Sequence, residues 1–379
     1  FQKGLLMSET ERQEGHDIGK DMTTWLQNMP EIEKPKASLR LRRLLGKILQ
    51  KGDTPLAVKL GGLVAAHGLQ APGLHYLVAL AMLKDGRPYS AQAALALSES
   101  QDYPQESAEL ALEIKNYLTR LNLPLQASYG NLTCTNLAYA NRYLGQRCFI
   151  LGNAPSLKNH NLKLLCHDVV FSVSNGYLHS DYAIYRPHFH CLPTIPYDEM
   201  RLTHDHAAKW LADMDEKIWD ATITLSVADF TLAHERGIFA NRSHLCMDMS
   251  LPWQALPLNP CDICGPMSGV QSVPIMALML AFFMGFEKIY LLGIDHTDLI
   301  TRRYNYFYKK SMNTGLERGV DTKGNITDDN FTLIKCMYKL FSQYSFLKNE
   351  SIKRNTHIYN TNPHSFLDIF PLVEYNHLF

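Results

Sequence analysis

The spacing of apolar residues changes near residue 146 of this 379-residue chain. Before that point apolar residues recur at helical spacing, and after it short apolar runs alternate with amphipathic stretches. The apolar runs predict strands at 148–151, 169–173, 189–192, 223–227, 244–247, 288–292 and 356–360. Helices are predicted between or beside them at 157–165, 204–214, 229–237, 270–284 and 330–346. Strands separated by helices indicate an α/β fold, with a mostly parallel sheet and helices on both faces.

The earlier part of the chain predicts an all-α domain. Turn residues separate predicted helices at 37–49, 54–67, 73–84, 89–98 and 106–121. The run 74–87, followed by Ala91, Leu95 and Pro104, resembles a tetratricopeptide repeat, whose period is about 34 residues. Such a module would bind a protein partner or build a dimer, and a helical cap on the next domain is the alternative. The predicted division is a loosely ordered lead-in (1–36), a helical-repeat domain (37–121), a connector (122–145) and a Rossmann-like domain (146–379).

Helix 37–49 carries basic residues between its leucines, namely Arg40, Arg42, Arg43 and Lys47. A basic amphipathic helix of this kind can make peripheral contact with an anionic membrane. We favour the other interpretation, a helix packed through its apolar side with its basic side in water.

Composition narrows the class of protein. Hydrophobic residues make up 46% and charged residues 20%, which is sufficient for a core and argues against general disorder. Lys+Arg and Asp+Glu both number 37, so the formal net charge is zero. Nucleic-acid binders normally show a basic excess, so this balance argues against a nucleic-acid-binding protein. Several of the eight cysteines lie inside apolar runs, so reduced thiols in a cytoplasmic protein are expected. The longest apolar run, 273–286, is too short to span a bilayer.

Three polar loops that contain glycine follow predicted strands. They read Gly-Asn-Ala-Pro-Ser-Leu at 152–157, Ser-Asn-Gly-Tyr at 174–177 and Gly-Ile-Asp-His-Thr-Asp at 293–298. Ligands of open parallel sheets bind outside the carboxyl ends of the strands, so these loops are expected to line one crevice. Gly152 would let the backbone approach a bound group, and Ser156 would cap a following helix whose free N–H groups suit an anion. Asp295 is placed to accept hydrogen bonds from ribose hydroxyls.

A fourth segment, Ser268-Gly269-Val270, precedes the apolar helix predicted at 270–284. It would place a hydroxyl at a second helix N-terminus, which is again suited to an anion. Four such segments together indicate a bound anionic ligand better than unrelated turns do.

In this order the four motifs resemble those of the bacterial sialyltransferases of glycosyltransferase family 42 and of related motility-associated glycosyltransferases, which modify flagellin. The segment 285–295 is the most specific of them. The resemblance implies a Rossmann-like domain of the variant GT-A kind. It also implies an inverting, metal-independent transfer of a sialic-acid-like nonulosonic acid from a CMP-activated donor, with no cofactor. The acceptor would be a glycan, a glycolipid or a flagellin-like protein. The enzyme would take part in cell-surface glycan biosynthesis, in the bacterial cytoplasm or at the inner face of the membrane.

The resemblance further implies which residues bind the donor. Gly152, Asn153 and Ser156 would hold the nucleotide and phosphate, Asn175 the sugar or phosphate, Ser268 and Gly269 the sugar carboxylate, and Gly293 and Asp295 the cytidine and its ribose. Tyrosines after the Gly-Ile-Asp motif would bind the departing phosphate, and the nearest are Tyr304 and Tyr306, with Arg302 and Arg303 beside them.

The histidine that serves these enzymes as catalytic base has no counterpart here, because the corresponding stretch reads Asn-Ile-Thr-Asp-Asp-Asn at 325–330. Asp328 or Asp329 could act as the general base, and His296 is the rival. The alternative for the two aspartates is a helix N-cap before Phe331.

Other patterns are weaker. Cys261 and Cys264 form a lone CxxC pair, and the histidine pairs at 188/190 and 204/206 lack fixed partners, so no metal site is expected. His188 or His190 could line the acceptor side. Rival functions are a Kdo-type transferase, a pterin-type pyrophosphokinase, or a non-catalytic nucleotide-binding scaffold with a helical-repeat interaction module.

Overall fold

The computed structural model describes residues 22–98, 103–125, 130–195, 204–218, 220–251, 261–308 and 325–379. Most of the predicted lead-in therefore lies outside the described residues, and residues 22–27 are helical. The chain divides into two compact units. The first comprises Phe1–Gln146, Ser250–Ser268 and Phe282–Glu287, and the second comprises Arg147–Met249, Gly269–Ala281 and Lys288–Phe379.

Helices build the first unit. They are α1 (Lys34–Gln50), α2 (Thr54–Ala66), α3 (Leu74–Lys84), α4 (Pro88–Ala96), α5 (Pro104–Arg120) and the short α6 (Gly130–Thr133). A proline in the first turn of four of them, α1, α2, α4 and α5, fits where a missing N–H costs nothing. The five predicted helices are thus confirmed, whereas their grouping as a tetratricopeptide-like repeat domain stays a prediction.

The packed-helix interpretation of residues 37–49 fits the structure. Helix α1 buries Leu41, Leu45 and Ile48, which are at most 7% exposed. The apolar side of α1 is therefore part of the core of the first unit.

A carboxylate distant in sequence caps α4. Asp262 accepts hydrogen bonds from the backbone N–H groups of Tyr89 (2.9 Å) and Ser90 (3.0 Å) and from the Ser90 hydroxyl (2.5 Å). These backbone donors belong to the first turn of α4, where an N-cap side chain normally binds. Cys261 and Cys264, on either side of Asp262, are both buried.

The α/β fold class is confirmed. The strands are β1 (Arg147–Leu151), β2 (Val169–Val173), β3 (Phe189–Cys191), β4 (Thr222–Ser226), β5 (His244–Leu251), β6 (Pro266–Ser268), β7 (Lys288–Leu292) and β8 (His357–Asn360). They form one sheet in the order β6-β5-β4-β3-β2-β1-β7-β8, and the pairings from β5 to β8 are parallel. The order reverses at β1, which lies between β2 and β7, and ligands of open sheets bind at such a switch point.

The helices of this part of the chain are α7 (Tyr182–Tyr185), α8 (His204–Lys217), α9 (Val227–Glu235), α10 (Val273–Phe283), α11 (Asp298–Thr301) and α12 (Asn330–Lys353). The last two residues of α10 belong to the first unit. Helix α12 continues seven residues past its predicted end at 346, because Leu347, Glu350 and Ser351 remain buried at helical spacing.

The helix predicted at 157–165 is wrong. Two 3₁₀ turns, Pro155–Asn159 and Leu162–Leu165, occupy this stretch, and His160 between them has an extended backbone. The His160 Nδ1 lies 3.1 Å from the carbonyl oxygen of Ser156, the acceptor that the His160 backbone N–H would use in an α-helix. Leu157, Leu162 and Leu165 are still buried in the core, and their apolar spacing is what suggested a helix.

The helix start predicted at Val270 is also wrong. Ser268 ends strand β6, and α10 begins at Val273. The Ser268 hydroxyl therefore does not stand at a helix N-terminus.

Candidate active site

The loops after β1, β2 and β7 meet at the carboxyl edge of three neighbouring strands, as the sequence predicts. Strand β1 pairs with β2 on one side and with β7 on the other, all parallel, so their carboxyl ends share one edge. Two backbone hydrogen bonds join the β1 and β7 loops, from the N–H of Gly152 to Leu292 O (2.8 Å) and from the N–H of Ala154 to Gly293 O (2.9 Å).

Two glycines allow this close approach. A Cβ on Gly152 would lie 2.2 Å from the carbonyl oxygen of Gly293. Gly293 itself has φ of +63°, and a Cβ there would lie 3.0 Å from the carbonyl oxygen of Gly152. Both glycines therefore have a packing role, because a side chain at either position would collide with the backbone of the other loop. Their contact with a donor stays a prediction.

Asp295 ties three loops together. Its Oδ1 accepts hydrogen bonds from the Ser156 hydroxyl (2.6 Å) and from Asn362 Nδ2 (2.7 Å), and its side chain is buried. Ser156 is thus bound to a carboxylate, where the sequence predicted the cap of a helix. The second oxygen, Oδ2, has a longer contact of 3.4 Å to the Ser156 N–H. Asn362 was not among the predicted site residues, although its position after the strand predicted at 356–360 is a signal of the same kind.

The side-chain amide of Asn175 is held at both ends. Its Oδ1 accepts a hydrogen bond from Trp210 Nε1 (3.0 Å), and its Nδ2 donates to the Tyr308 hydroxyl (3.3 Å). Asn175 is 4% exposed, so these contacts fix the orientation of its amide at the end of β2. Trp210 and Tyr308 were not among the predicted site residues.

The residue before Asn175 has an unusual backbone. Ser174 has φ of +47°, in the left-handed region that residues other than glycine seldom adopt. The Nε2 of His190 lies 2.8 Å from the Ser174 carbonyl oxygen, and His190 Nδ1 lies 3.2 Å from the Tyr182 hydroxyl. Because a carbonyl only accepts, Nε2 carries the proton and Nδ1 accepts from Tyr182. Burial lowers the pKa of His190 to about 4, so its imidazole is neutral.

His190 therefore stabilises the loop after β2 through its hydrogen bond to the Ser174 carbonyl. The sequence suggested it as a residue that could line the acceptor side, but its side chain is fully buried. Its hydrogen bond stabilises the strained conformation of Ser174, which in turn presents Asn175.

The two ends of the Asn153 side-chain amide have different surroundings. Its Nδ2 donates to Val173 O (3.2 Å), and its backbone oxygen accepts from the N–H of Phe307 (2.9 Å). The Oδ1 is buried and has no hydrogen-bond donor within the described part of the chain. A buried amide oxygen is an acceptor that a ligand N–H or O–H can satisfy.

Three tyrosines form a ladder on one face of an extended segment. The ring centroids of Tyr304 and Tyr306 are 6.5 Å apart, those of Tyr306 and Tyr308 are 5.0 Å apart, and the planes are nearly parallel. Phe307 points the other way and is buried in the core. The alternation follows from the two-residue period of extended backbone. Tyr308, which the sequence analysis left out, carries the same signal.

Arg302 connects this ladder to helix α12. Its guanidinium donates to Asn330 Oδ1 and to the carbonyl oxygen of Asp328, both at 2.5 Å. The backbone N–H of Ile326 donates to Arg302 O (2.9 Å). Because both guanidinium partners are neutral oxygens, these contacts do not neutralise the positive charge of Arg302.

The three base candidates have different environments. Asp329 caps α12, since its Oδ1 accepts from the N–H of Thr332 and its Oδ2 from the Thr332 hydroxyl, each at 2.9 Å. These hydrogen bonds lower the pKa of the exposed Asp329 carboxyl. This is the N-cap that the sequence offered as the alternative. Asp328 contributes its backbone oxygen to Arg302.

His296 follows Asp295 and has φ of +48°. Its Nε2 lies 2.9 Å from the Tyr344 hydroxyl, and its Nδ1 has no hydrogen bond to any residue that the structure describes. Burial lowers the pKa of His296 to about 4, and the nearby charge of Asp295 opposes this shift. The neutral ring is therefore held by one nitrogen, and Nδ1 is a proton acceptor in the tautomer in which Nε2 donates to the Tyr344 hydroxyl.

The remaining predicted residues fall into different units. Ser268 is buried at the end of β6 and belongs to the first unit, whereas Gly269 belongs to the second. The Gly269 carbonyl oxygen accepts a hydrogen bond from Gln343 Nε2 (3.0 Å), on α12. The predicted binding of a sugar carboxylate by Ser268 and Gly269 stays a prediction.

Across the described ranges, no group of three or more His, Cys, Asp or Glu side chains is arranged to hold a metal ion. No helix in that same part of the chain has the length and apolar character needed to cross a membrane.

Fold and site together define an α/β sheet with polar loops that meet at its switch point. Neither a protein-family model nor a curated protein matches the sequence significantly. Among solved structures, the sialyltransferase CstII from Campylobacter jejuni, in complex with the substrate analogue cytidine-5'-monophosphate, matches at 15% identity and a TM-score of 0.37, over 61% of this chain and 86% of CstII. The same enzyme with CMP-3FNeuAc matches at 14% identity and a TM-score of 0.33, over 60% and 84% of the two chains.

The MAf glycosyltransferase from Magnetospirillum magneticum AMB-1 matches at 13% identity and a TM-score of 0.36, over 80% of this chain and 47% of that protein. Identities and TM-scores this low establish no function for this chain.

Proposed function

We propose that this chain is a glycosyltransferase that moves a nonulosonic acid from a CMP-activated donor to an acceptor hydroxyl, with inversion. The observation that carries the proposal is the convergence of the β1, β2 and β7 loops at the switch point of the sheet. These loops bear the motifs by which the sequence resembles the bacterial sialyltransferases. Their order along the chain and their meeting at one edge support one nucleotide-sugar crevice.

Donor binding is proposed to use the acceptor and donor groups of this edge. The Oδ1 of Asn153 would accept from an amino or hydroxyl group of the cytidine. The Oδ2 of Asp295, the less engaged of its two oxygens, would accept from the ribose. Gly152, Ser156 and Gly293 would then act mainly by shaping the loops.

The tyrosine ladder and Arg302 are proposed to stabilise the leaving group. Phenolic hydroxyls and a guanidinium can donate to the phosphate oxygens of departing CMP as negative charge builds up on them. The contacts of Arg302 with Asn330 and Asp328 would fix its position without neutralising it.

His296 is our preferred catalytic base. Its Nδ1 would take the proton as the acceptor O–H bond breaks, and the acceptor oxygen would bond to the anomeric carbon. The bond from that carbon to the phosphate oxygen would break, and CMP would leave with the electron pair. Asp329 is less suited, because both its oxygens accept hydrogen bonds from Thr332. Asp328 is the second candidate.

Thermal-shift measurements with CMP, CDP, UDP and ATP test the proposal. We expect stabilisation by the cytidine nucleotides, and a weaker response in Asn153→Ala. Asn116→Ala, at an exposed position of α5, is the matched control and should respond like wild type. Stabilisation by ATP alone would favour a pyrophosphokinase, and no response to any cytidine nucleotide would contradict the proposal.

A further inference from the structure

Helix α12 exposes a row of large apolar side chains. Phe331, Ile334 and Tyr338 are 77%, 58% and 76% exposed. Their spacing of three and then four residues places them on one face of the helix. The opposite face already packs inward through other residues, among them Leu333, Met337 and Leu340. An exposed apolar row on a helix that already has a buried face marks an interaction surface.

Basic residues stand beside this row, and two acidic ones, Asp328 and Asp329, precede it at the N-terminal end of α12. Lys335 and Lys339 are exposed, and each follows a residue of the row by one position. Glu350 is the single acidic residue of α12 in the sequence; it is buried and pairs with Lys353 and Arg354. The exposed face of α12 is therefore both aromatic and basic.

We infer that this face of α12 docks on a bilayer surface that carries anionic lipids. Phe331, Ile334 and Tyr338 would enter the boundary between headgroups and acyl chains, as apolar faces of interfacial helices do. Lys335 and Lys339 would reach the phosphates of the headgroups, and each basic residue near an anionic surface adds to the affinity.

Charge and length argue against a second copy of the chain as the occupant. A two-fold contact through this face would bring the lysines of both copies together. Ser345 and Lys348 also interrupt the row before the exposed Ile352, whereas a longer helix–helix seam would carry apolar residues at those positions.

The surface begins beside the candidate active site. Asn330, which binds the guanidinium of Arg302, directly precedes Phe331. Docking would therefore hold the ladder segment near the bilayer, where a lipid-linked acceptor presents its hydroxyl. This consequence rests on the proposed function, whereas the docking itself does not.

Vesicle flotation of the full chain tests the inference without any turnover. Wild type should float with vesicles of phosphatidylcholine and phosphatidylglycerol, but not with phosphatidylcholine alone, and added salt should weaken the binding. Combining Phe331→Gln, Ile334→Gln and Tyr338→Gln should lower partitioning about tenfold or more, and so should Lys335→Glu with Lys339→Glu.

The matched controls are Leu112→Gln and Lys115→Glu on α5. Leu112 is 57% exposed and Lys115 is also exposed, so both should keep wild-type partitioning. Circular dichroism and thermal melting should show that every variant folds, because the changed side chains face outward. Partitioning that is absent in wild type, or unchanged in the α12 variants, would overturn the inference. So would a concentration-dependent dimer that is lost in the apolar variant while vesicles remain unbound, since a second copy would then occupy the face.

Discussion

Gly152 and Gly293 lie so close together that a Cβ on the first would be 2.2 Å from the carbonyl oxygen of the second. The backbone hydrogen bonds from Gly152 to Leu292 and from Ala154 to Gly293 hold both loops in place, so the loops cannot easily move apart. Glycine is needed here for loop-to-loop packing at the switch point, and this requirement does not depend on any ligand.

Gly152→Ala should therefore destabilise the protein by about 2–3 kcal/mol, as overpacking in a rigid region does. Denaturant unfolding measures this loss. The control is Gly46→Ala in helix α1, where a Cβ would meet its nearest atom at an ordinary 3.8 Å. Alanine should be neutral or stabilising by about 0.5–1 kcal/mol there, because it favours helix. Equal effects of the two changes would contradict the packing argument.

Removing the buried Asp262 cap of α4 should lower the free energy of unfolding more than removing an exposed helix cap does. Asp262→Ala leaves two backbone N–H groups and the Ser90 hydroxyl without their acceptor in a buried place, and we expect a loss of about 2–4 kcal/mol. Asp53 caps α2 at an exposed position through a single bond to Leu56 N, so Asp53→Ala should cost about 1 kcal/mol.

Denaturant unfolding followed by far-ultraviolet circular dichroism compares the two variants. A loss for Asp262→Ala no greater than that for Asp53→Ala would show that the buried carboxylate contributes little to the helix.

These residues also show how far sequence reasoning reaches. Buried parallel strands are short apolar runs that end in polar, glycine-containing loops, so β1, β2 and β7 and the loops after them were predictable from local pattern, whereas the three-residue strand β6 was not predicted. The bond from Asp262 to α4 joins residues 173 apart in sequence, and no local pattern shows it. Trp210 was missed for the same reason, because its bond to Asn175 joins residues 35 apart. The wrong helix at 157–165 had the correct apolar spacing, and in the structure the His160 side chain contacts the Ser156 carbonyl that a helix would use.

Protonation of His190 in acid should lower the free energy of unfolding. Burial lowers its pKa to about 4 in the folded chain, against 6.5 for the ordinary side chain. The unfolded chain therefore binds more protons between those two values, and the free energy of unfolding falls as pH drops from about 6.5 toward 4. The shift corresponds to about 3 kcal/mol.

His190→Gln can keep a donor for the Ser174 carbonyl but cannot take up a proton. Its free energy of unfolding, measured by denaturant titration at several pH values, should start lower than that of wild type at pH 7 and fall less toward pH 4. His364→Gln, at an exposed position, should retain the wild-type slope. Parallel curves for wild type and His190→Gln would exclude this histidine as the source of acid sensitivity.

The catalytic base can be identified by kinetics once turnover of a CMP-sugar is established. His296→Ala should lower kcat about 10²–10⁴-fold, the usual range for loss of a general base, with little change in KM. Asp328→Ala is the matched comparison and should keep most of the activity. In wild type, kcat should fall as pH drops toward about 4, because the base must be unprotonated and burial places its pKa there.

Tyr344→Phe then tests how the ring is held. It removes the hydroxyl 2.9 Å from His296 Nε2 but leaves Nδ1 in place, so kcat should fall less than in His296→Ala, and the acid limb of the profile should move. A large loss in Asp328→Ala together with full activity in His296→Ala would transfer the role of base to Asp328.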